Sequence, residues 1–462
     1  MEQEKAVSRF RDAIRIKTDW PRNAREGDRE AEAPLRRFQD FLVESYPSFH
    51  RATERWVLSP YSVLYRWPGA GIGGDALAGG SGETGEKEGP VLILAHYDVV
   101  PVEKEKWTSD PFGAELKDGF VYGRGAQDMK GVLVALLEGA EELIRQGFRP
   151  RRDLWFAFGG DEERTGLTGA MRSAVWFRER GLRFSWILDE GSSVVLNQIP
   201  GVEKPLALLS IEEKGFLSLE LSVAQKPGHA SKPPRVQAAA VLARALLRLS
   251  RRPFPYRLVS TVESFYSRLG SLASGTAALT MGHPRLLGPL FFSLFATGPQ
   301  TDAMFRTTLA MTQLEGSAAD NVMPSEVRGI INLRLLRPWT IEGAIGFVKR
   351  AIGDERVSVK IYGMGSDPVP PNPEHTRLSG PGWKEMESAV NRVFPDAAIL
   401  PFIMTATTDS RHYRDLAGGI FRFSPFRLTP ADSGGVHGHD ERLSLEDLFR
   451  AVSFYTALFG SL

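Results

Sequence analysis

The sequence predicts an α/β protein in which a mixed, mostly parallel sheet flanked by helices carries an inserted α+β domain. Short, nearly unbroken apolar runs occur at residues 91–95, 153–159 and 184–188, as is typical of parallel strands buried on both faces. From Gly215 the pattern changes to the alternation of a half-exposed antiparallel strand. With 462 residues the chain exceeds one ordinary core, so we expect two domains.

The first domain begins with helical patterns over residues 1–50 and a pair of strands over 55–67. Residues 69–89 are rich in Gly, Ser, Glu and Lys, which predicts a solvated loop. Further on, Asp128 opens an amphipathic helix that extends to about Gln146, and a helix N-cap is its simplest interpretation. The Gly-x-Gly pair before it lacks the spacing and the preceding strand of a dinucleotide-binding loop.

The strand at 215–223 opens a series in the order β-α-β-β-α-β, the split βαβ arrangement of a ferredoxin-like domain. The later members are a helix at 236–249, strands at 305–314 and 327–335, a helix at 341–352 and a strand at 357–362. The expected boundaries are 1–211 for the first part of the first domain, 212–365 for the inserted domain and 366–462 for the remainder. The stretch 253–302 is an addition, and its apolar patch at 286–296 either packs internally or at a subunit contact, or binds an acyl chain or hydrophobic side chain.

Composition excludes several classes of partner and site. A net charge of +1 gives no electrostatic basis for binding nucleic acid or an anionic membrane. No apolar stretch approaches the ~20 residues that span a bilayer, and the N-terminus lacks the apolar core of a signal peptide. We therefore expect a cytoplasmic protein without a membrane partner. Because the chain has no cysteine, any metal site must use nitrogen and oxygen ligands.

Acidic and imidazole side chains follow each of the apolar runs. They are His96 and Asp98 after the first, Glu162 and Glu163 after the second, and Asp189 and Glu190 after the third. Since the carboxyl ends of parallel strands meet at one edge of a sheet, these side chains are expected to lie together, with Asp128 nearby. Adjacent carboxylates repel one another unless they share a cation or a proton, although a solvated turn would need neither.

Two further loops carry histidines. His229 stands in KPGHASKPP after the first strand of the inserted domain, where a lone histidine is usually solvated. His437 and His439 stand with Glu441 in VHGHDER before the last helix. His437 is a plausible final metal ligand and His439 a lesser candidate, whereas the alternative for this loop is helix capping.

Seven motifs in this order resemble the M20 family of zinc metallopeptidases. They are HYDVVP, GRGAQDMKG, GGDEE, LDEG, GHASKPP, NVMP and HGHDE. The resemblance covers nearly the whole chain and both predicted domains. Within the family, the chain is most similar to the branch of carboxypeptidase S and related N-acyl-amino-acid hydrolases, which also fits the size of the 253–302 insertion.

The resemblance implies two zinc ions per subunit, with Co²⁺ or Mn²⁺ as possible substitutes. It implies that Asp128 bridges the ions, that His96 and Asp189 complete one ligand set, and that Glu163 and His437 complete the other. Glu190 remains an alternative to Asp189, which we prefer because it leaves the strand first. The resemblance also implies a cis peptide between Asp128 and Met129.

Further roles are implied for residues around the metals. Glu162 would be the general base, Asp98 would hold the ring of His96, and His229 would polarise the scissile carbonyl, often from a dimer partner. Arg334 in NLRLL would bind a substrate carboxylate, with Asn321 nearby and Arg411 in the substrate-facing loop TDSRHY. A homodimer through the lid domain is therefore expected.

The predicted function is a dinuclear zinc amide hydrolase that cleaves short peptides with a free carboxylate, of the carboxypeptidase or dipeptidase type. An aminoacylase or deacylase of N-acyl amino acids would use the same site. A non-catalytic scaffold of the same fold is a remote alternative, because such a protein would be expected to have lost some of these ligands.

Overall fold

The computed structural model describes residues 2–20, 26–70, 89–196, 199, 202–363, 368–371 and 376–462. Most of the predicted loop at 69–89 lies outside these residues. The described strands are β1 Glu54–Ser59, β2 Ser62–Trp67, β3 Val91–His96, β4 Glu115–Lys117, β5 Phe120–Tyr122, β6 Leu154–Gly159, β7 Trp186–Val195, β8 Leu206–Glu213, β9 Gly215–Ala224, β10 Gly228–His229, β11 Thr308–Glu315, β12 Val322–Met323, β13 Glu326–Leu335, β14 Ser358–Ile361, β15 Ala398–Met404, β16 Ile420–Leu428 and β17 Arg442–Ser444.

The helices follow the same numbering in chain order. They are α1 Glu2–Arg15, α2 Arg29–Ser45, α3 Pro47–Ala52, α4 Lys130–Arg145, α5 Ala170–Glu179, α6 Ala238–Arg251, α7 Ser260–Leu272, α8 Gly275–Gly282, α9 Pro284–Leu287, α10 Pro289–Phe295, α11 Pro299–Phe305, α12 Ile341–Ile352, α13 Trp383–Val393, α14 Pro430–Ser433 and α15 Leu445–Ser461. Within the described part of the chain, none of them combines the length and the apolar character needed to traverse a bilayer.

The large sheet has eight strands in the order β1-β2-β6-β3-β7-β16-β8-β15. Its central pairs β6–β3, β3–β7 and β7–β16 are parallel, and the β1–β2 hairpin adds antiparallel strands at one edge. Every residue of β3 and β6 is buried, which explains their unbroken apolar runs. Helices α1, α4 and α15 contribute to the core on one face of this sheet, and α5 packs on the other.

The small sheet has the order β11-β13-β9-β14 and is antiparallel throughout. Helices α6 and α12 pack against it and complete the β-α-β-β-α-β series, so the predicted fold class is confirmed. The small sheet extends from Gly215 to Ile361, inside the predicted range 212–365. The third predicted strand of the large sheet starts two residues later than expected and continues to Val195.

The 253–302 addition forms α7 to α11 and packs against the edge of the large sheet. Its apolar cluster includes Leu208 of β8 and Leu400 of β15. In the predicted apolar patch, Phe291 is buried against Tyr266, whereas other large side chains are exposed. The exposed ones are Leu286, Leu290 and Leu294. Internal packing therefore accounts for one part of the patch.

Three consecutive buried charged residues, Glu212, Glu213 and Lys214, form the crossover between the two sheets. Each is satisfied by groups from outside the crossover. The partners are Arg337 and Thr261 for Glu212, Thr408 and Arg422 for Glu213, and the carbonyls of Ala303 and Arg306 for Lys214. Both partners in the Glu213–Arg422 ion pair are fully buried. The crossover thus connects the inserted domain, the helical addition and the loop before Ser410.

Candidate active site

Two groups of potential metal ligands meet at the carboxyl edge of the large sheet and share Asp128. One contains His96, Asp128 and Glu190, and the other contains Asp128, Glu163 and His437; within each, one donor atom per residue lies within 4.8 Å of the others. His96 Nε2 lies 3.0 Å from Asp128 Oδ1, and His437 Nε2 lies 3.1 Å from Asp128 Oδ2. The two carboxylate oxygens of Asp128 therefore face different groups, as in a bridging ligand.

The fold explains how distant residues reach this edge. His96 ends β3, Glu163 follows β6, and Glu190 lies within the neighbouring strand β7. Asp128 precedes α4, and the peptide bond to Met129 is cis, as expected. His437 comes from the loop before β17 and adopts a positive φ of 58°.

The preference for Asp189 over Glu190 is not supported by the geometry. The strand continues through both residues, so their side chains point to opposite faces of the sheet. Glu190 Oε1 lies 3.1 Å from His96 Nε2, whereas Asp189 Oδ2 accepts a hydrogen bond of 2.8 Å from the backbone N–H of Ser410. Asp189 thus fixes the loop at Ser410, and Glu190 occupies the position that we expected for Asp189.

Asp98 is buried behind the metal ligands and contacts two of the elements that carry them. Its carboxylate accepts hydrogen bonds of 3.1 Å from the backbone N–H groups of Glu162 and Glu163. It also lies 3.4 Å from Nδ1 of His96, while its backbone carbonyl lies closer to that nitrogen, at 3.0 Å. Asp98 therefore contacts the imidazole of His96 through both its carboxylate and its carbonyl, and it also holds the Glu162–Glu163 turn.

Ionisation is unfavourable for three acids of the site, Glu162, Glu163 and Glu190. Burial raises the pKa of Glu162 well above its ordinary value, and the neighbouring Glu190 and Glu163 raise it further. Burial likewise raises the pKa of Glu190 and of Glu163. Hydrogen bonds to Asp128 and Glu163 raise the pKa of His437 to about 10. A set of buried carboxylates with two imidazoles is the environment in which a cation relieves repulsion.

This donor set fits divalent metal ions. Imidazole nitrogens and carboxylate oxygens are zinc ligands, and the same donors accept Co²⁺ and Mn²⁺. Oε1 of Glu163 is buried without a hydrogen-bond partner in the described part of the structure, although Oε2 of the same group contacts His437. An unpaired buried carboxylate oxygen beside two other donors fits a metal-binding role for Glu163.

Glu441 forms a clamp between the two loops that carry Asp128 and His437. Its carboxylate is fully buried and accepts four hydrogen bonds. The donors are Arg124 Nη1 at 2.7 Å and the backbone N–H groups of Gly125, Gln127 and Asp128 at 3.0, 2.7 and 3.1 Å. The sequence placed Glu441 beside His437 without a specific role; only the fold reveals that it contacts the Asp128 loop.

The expected substrate-binding arginines, Arg334 and Arg411, lie close enough for their charges to interact. Arg334 stacks its guanidinium over the ring of Phe216, 5.0 Å from the centroid, and its Nη1 is buried without a partner among the described residues. Burial lowers the pKa of Arg334, the charge of Glu213 opposes this change, and Arg411 lowers it further. Arg414, which was not predicted, adds a third guanidinium in the same loop as Arg411.

Three other candidate residues, His229, Asn321 and His439, belong to neither group of potential metal ligands. His229 is exposed, and its Nδ1 accepts a hydrogen bond from the backbone N–H of Ser231. The carbonyl of Asn321 accepts a hydrogen bond from the backbone N–H of Ala230, so Asn321 lies next to His229 on the small domain. Within the described residues neither shares a hydrogen bond or ion pair with the metal ligands, and the roles predicted for them stay predictions. His439 is exposed and belongs to neither group.

The fold and the paired ligand groups define a class of enzyme, the two-domain metallohydrolases. Residues 92–461 match Peptidase family M20/M25/M40, and the chain belongs to this family. The predicted family and enzymatic character are thus confirmed. A divalent metal is implied by the same membership.

Curated relatives cover nearly the whole chain. It is 34% identical over 422 residues to a probable carboxypeptidase S-like 2 of Dictyostelium discoideum, which spans 91% of this chain and 78% of that protein. It is 30% identical over 460 residues to the N-fatty-acyl-amino acid synthase/hydrolase PM20D1 of Xenopus tropicalis, which spans 99% of this chain and 86% of that protein.

Solved structures share the fold at low identity. The M20 family metallo-carboxypeptidase Sso-CP2 from Sulfolobus solfataricus superposes with a TM-score of 0.69 at 15% identity, covering 98% of both chains. Human carnosine dipeptidase 1 superposes with a TM-score of 0.63 at 16% identity, covering 100% of this chain and 97% of that one.

Proposed function

We propose that this protein is a dinuclear zinc amide hydrolase that cleaves short peptides with a free carboxylate. The observation that carries the proposal is the pair of three-donor groups that share Asp128, with the partly buried carboxyl of Glu162 beside them. His96 and Glu190 would hold one ion, Glu163 and His437 the other, and Asp128 both. When bound, the ions polarise the scissile carbonyl and acidify the attacking water.

Glu162 is proposed as the general base and acid. It lies directly before the ligand Glu163, and Asp98 holds both backbone N–H groups of this turn. Its raised pKa suits a group that takes a proton from water and returns it to the leaving amine, a step worth ~10²–10⁴-fold.

Arg334 and Arg411 are proposed to bind the substrate carboxylate. Both are partly buried, and their like charges lie close enough to perturb each other, so an anion between them relieves the repulsion. His229 would approach the carbonyl by movement of the small domain or from a second subunit. The homodimer through the lid domain and the cytoplasmic location stay predictions.

Hydrolysis of N-acyl amino acids by the same groups is the second candidate. One fact favours it: the N-fatty-acyl-amino acid synthase/hydrolase relative aligns over 99% of this chain. Both substrate types carry the free carboxylate that Arg334 and Arg411 would read. A screen of dipeptides against N-acyl amino acids on zinc-reconstituted protein separates the two.

The replacement Glu162→Gln tests the central claim. We expect kcat to fall by ~10²–10⁴-fold while bound metal, measured by atomic emission after dialysis, stays at the wild-type level. Asp161→Asn provides a control, because Asp161 is a buried acid of the same turn that accepts hydrogen bonds from Thr168 rather than facing the metal groups. A Glu162→Gln variant that retains both metal and turnover would remove Glu162 from this role.

A further inference from the structure

A cavity of about 230 Å³ is lined by residues of both domains. Its apolar surface comes from the turn after Glu163, the start of α5, strand β9 and the segment that returns to the large sheet. The contributing residues are Leu167, Met171, Phe216, Val369 and Pro370. Phe216 and Val369 exchange two backbone hydrogen bonds of 2.8 Å, so one wall is anchored across the two segments.

The other end of the cavity is cationic. Arg411 and Arg414 line it, and Arg334 stacks over the ring of the lining residue Phe216. Arg414 donates from Nη1 to the carbonyl of Pro370 at 2.8 Å, but its Nε and Nη2 are buried without hydrogen-bond partners among the described residues. Buried guanidinium N–H groups without acceptors favour an anionic ligand.

The cavity also connects directly to the catalytic turn. Thr165, which lies two residues after Glu163, lines it, and its carbonyl lies 2.8 Å from Nε2 of His412 on the facing loop. A ligand with a carboxylate at the arginines would therefore place its neighbouring atoms between the cavity and Glu162.

We propose that this cavity binds the side chain of the amino acid that carries the substrate's free carboxylate, and that it selects an apolar chain of about the size of leucine or phenylalanine. This inference rests on the proposed function. A cavity of about 150 Å³ lined by apolar side chains can hold benzene, so the present one accommodates a phenyl ring. A charged side chain would lose hydration against Leu167 and Met171, and glycine would leave the cavity unfilled.

The test compares kcat/KM for N-acetyl-L-phenylalanine and N-acetylglycine, and for Ala-Phe and Ala-Gly, on the zinc-loaded full chain. We expect a preference for phenylalanine of at least about tenfold, since even one methylene in an apolar pocket is worth about 10–200-fold. In Met171→Trp, which fills the cavity, the ratio should fall at least about tenfold. Met311→Trp is the matched control, because Met311 is an exposed residue of β11, and its ratio should equal that of the wild type.

A direct measurement of amino-acid binding tests the cavity assignment without depending on turnover. Isothermal titration with L-phenylalanine and glycine should show tighter binding of phenylalanine, and the milder Met171→Phe variant replaces Met171→Trp if the latter does not fold. Phenylalanine binding without cleavage of any amide would contradict the proposed hydrolase and leave the cavity assignment supported. The cavity assignment would be overturned by a wild-type ratio near one, or by equal ratios in Met171→Trp and the wild type. If the protein cleaves no amide, equal or absent binding of the two amino acids would overturn it.

Discussion

Replacing Glu441 by Gln should weaken metal binding although Glu441 is not a metal ligand. The glutamate accepts four hydrogen bonds, two on each carboxylate oxygen. Glutamine has the same shape but offers only one acceptor oxygen, so two of the four buried donors lose their acceptor. Each such loss costs ~1–3 kcal/mol, which gives a loss of ~2–6 kcal/mol in the free energy of unfolding.

The effect on the metal site follows from what these donors hold in place. The clamp positions Asp128 through its own backbone N–H, and Glu441 lies four residues after His437. Loss of a group that orients metal ligands typically weakens metal affinity by ~10–100-fold. We therefore expect zinc affinity to fall by that factor, measured by competition with a chromophoric chelator, together with a lower urea midpoint of the metal-free protein.

Asp440→Asn is the control for this experiment. Asp440 precedes Glu441 in the same loop, but it contacts Thr108 instead of the Asp128 loop, and asparagine tolerates its positive φ of 54°. Its zinc affinity should match that of the wild type. If Glu441→Gln loses stability but binds zinc as tightly as the wild type, the carboxylate stabilises the fold without positioning the ligands, and the reasoning is wrong.

Three further predictions concern other parts of the site. Glu190→Gln should reduce zinc affinity more than Asp189→Asn does in the same chelator competition, because only Glu190 faces His96; the reverse order would restore Asp189 as the ligand. Arg334→Ala should raise KM for carboxylate-bearing substrates by ~10-fold or more, since a charge-assisted hydrogen bond is worth ~1.5–3 kcal/mol, and an unchanged KM in steady-state kinetics would contradict that role. Burial, reinforced by Arg411, lowers the pKa of His412 to about 4, below the 6.5 expected for the unfolded chain. The unfolded chain then binds more protons between pH 4 and 6.5, so the stability due to this residue is present above pH 6.5 and decreases toward pH 4. Urea unfolding of metal-free protein should therefore show a smaller loss of stability from pH 7 to pH 5 in His412→Gln than in the wild type; equal losses would refute the assignment.

The spacing of apolar residues along the chain predicted the architecture, because the buried positions of a strand or helix are the ones occupied by apolar residues. Strands β3 and β6 are buried on both faces and read as apolar runs. Strand β9 alternates in sequence but is less exposed than predicted, because Ser218 and Ser222 on its polar face are also buried. Helix α12 was predicted with the observed ends, and Thr340 caps its first turn. Strand ends were less predictable where tertiary pairing extends a strand, as in β7, which continues through a polar segment to Val195.

The sequence indicated those candidate site residues that directly follow a predicted strand along the chain. The choice between Asp189 and Glu190 was missed because it depends on where β7 ends, which sets the face to which each side chain points. Glu441 and Arg414 could not be singled out from the sequence, because each contacts a partner more than 40 residues away along the chain.

The crossover at Glu212–Lys214 has a mechanical consequence. Because three adjacent residues anchor three separate regions, this link between the two sheets is held firmly in place. A rotation of the lid about this point would pull on the loop that begins at Thr408, through Glu213, and on α11, through Lys214. A movement of the small sheet that shifts this crossover would therefore also displace the loop that begins at Thr408.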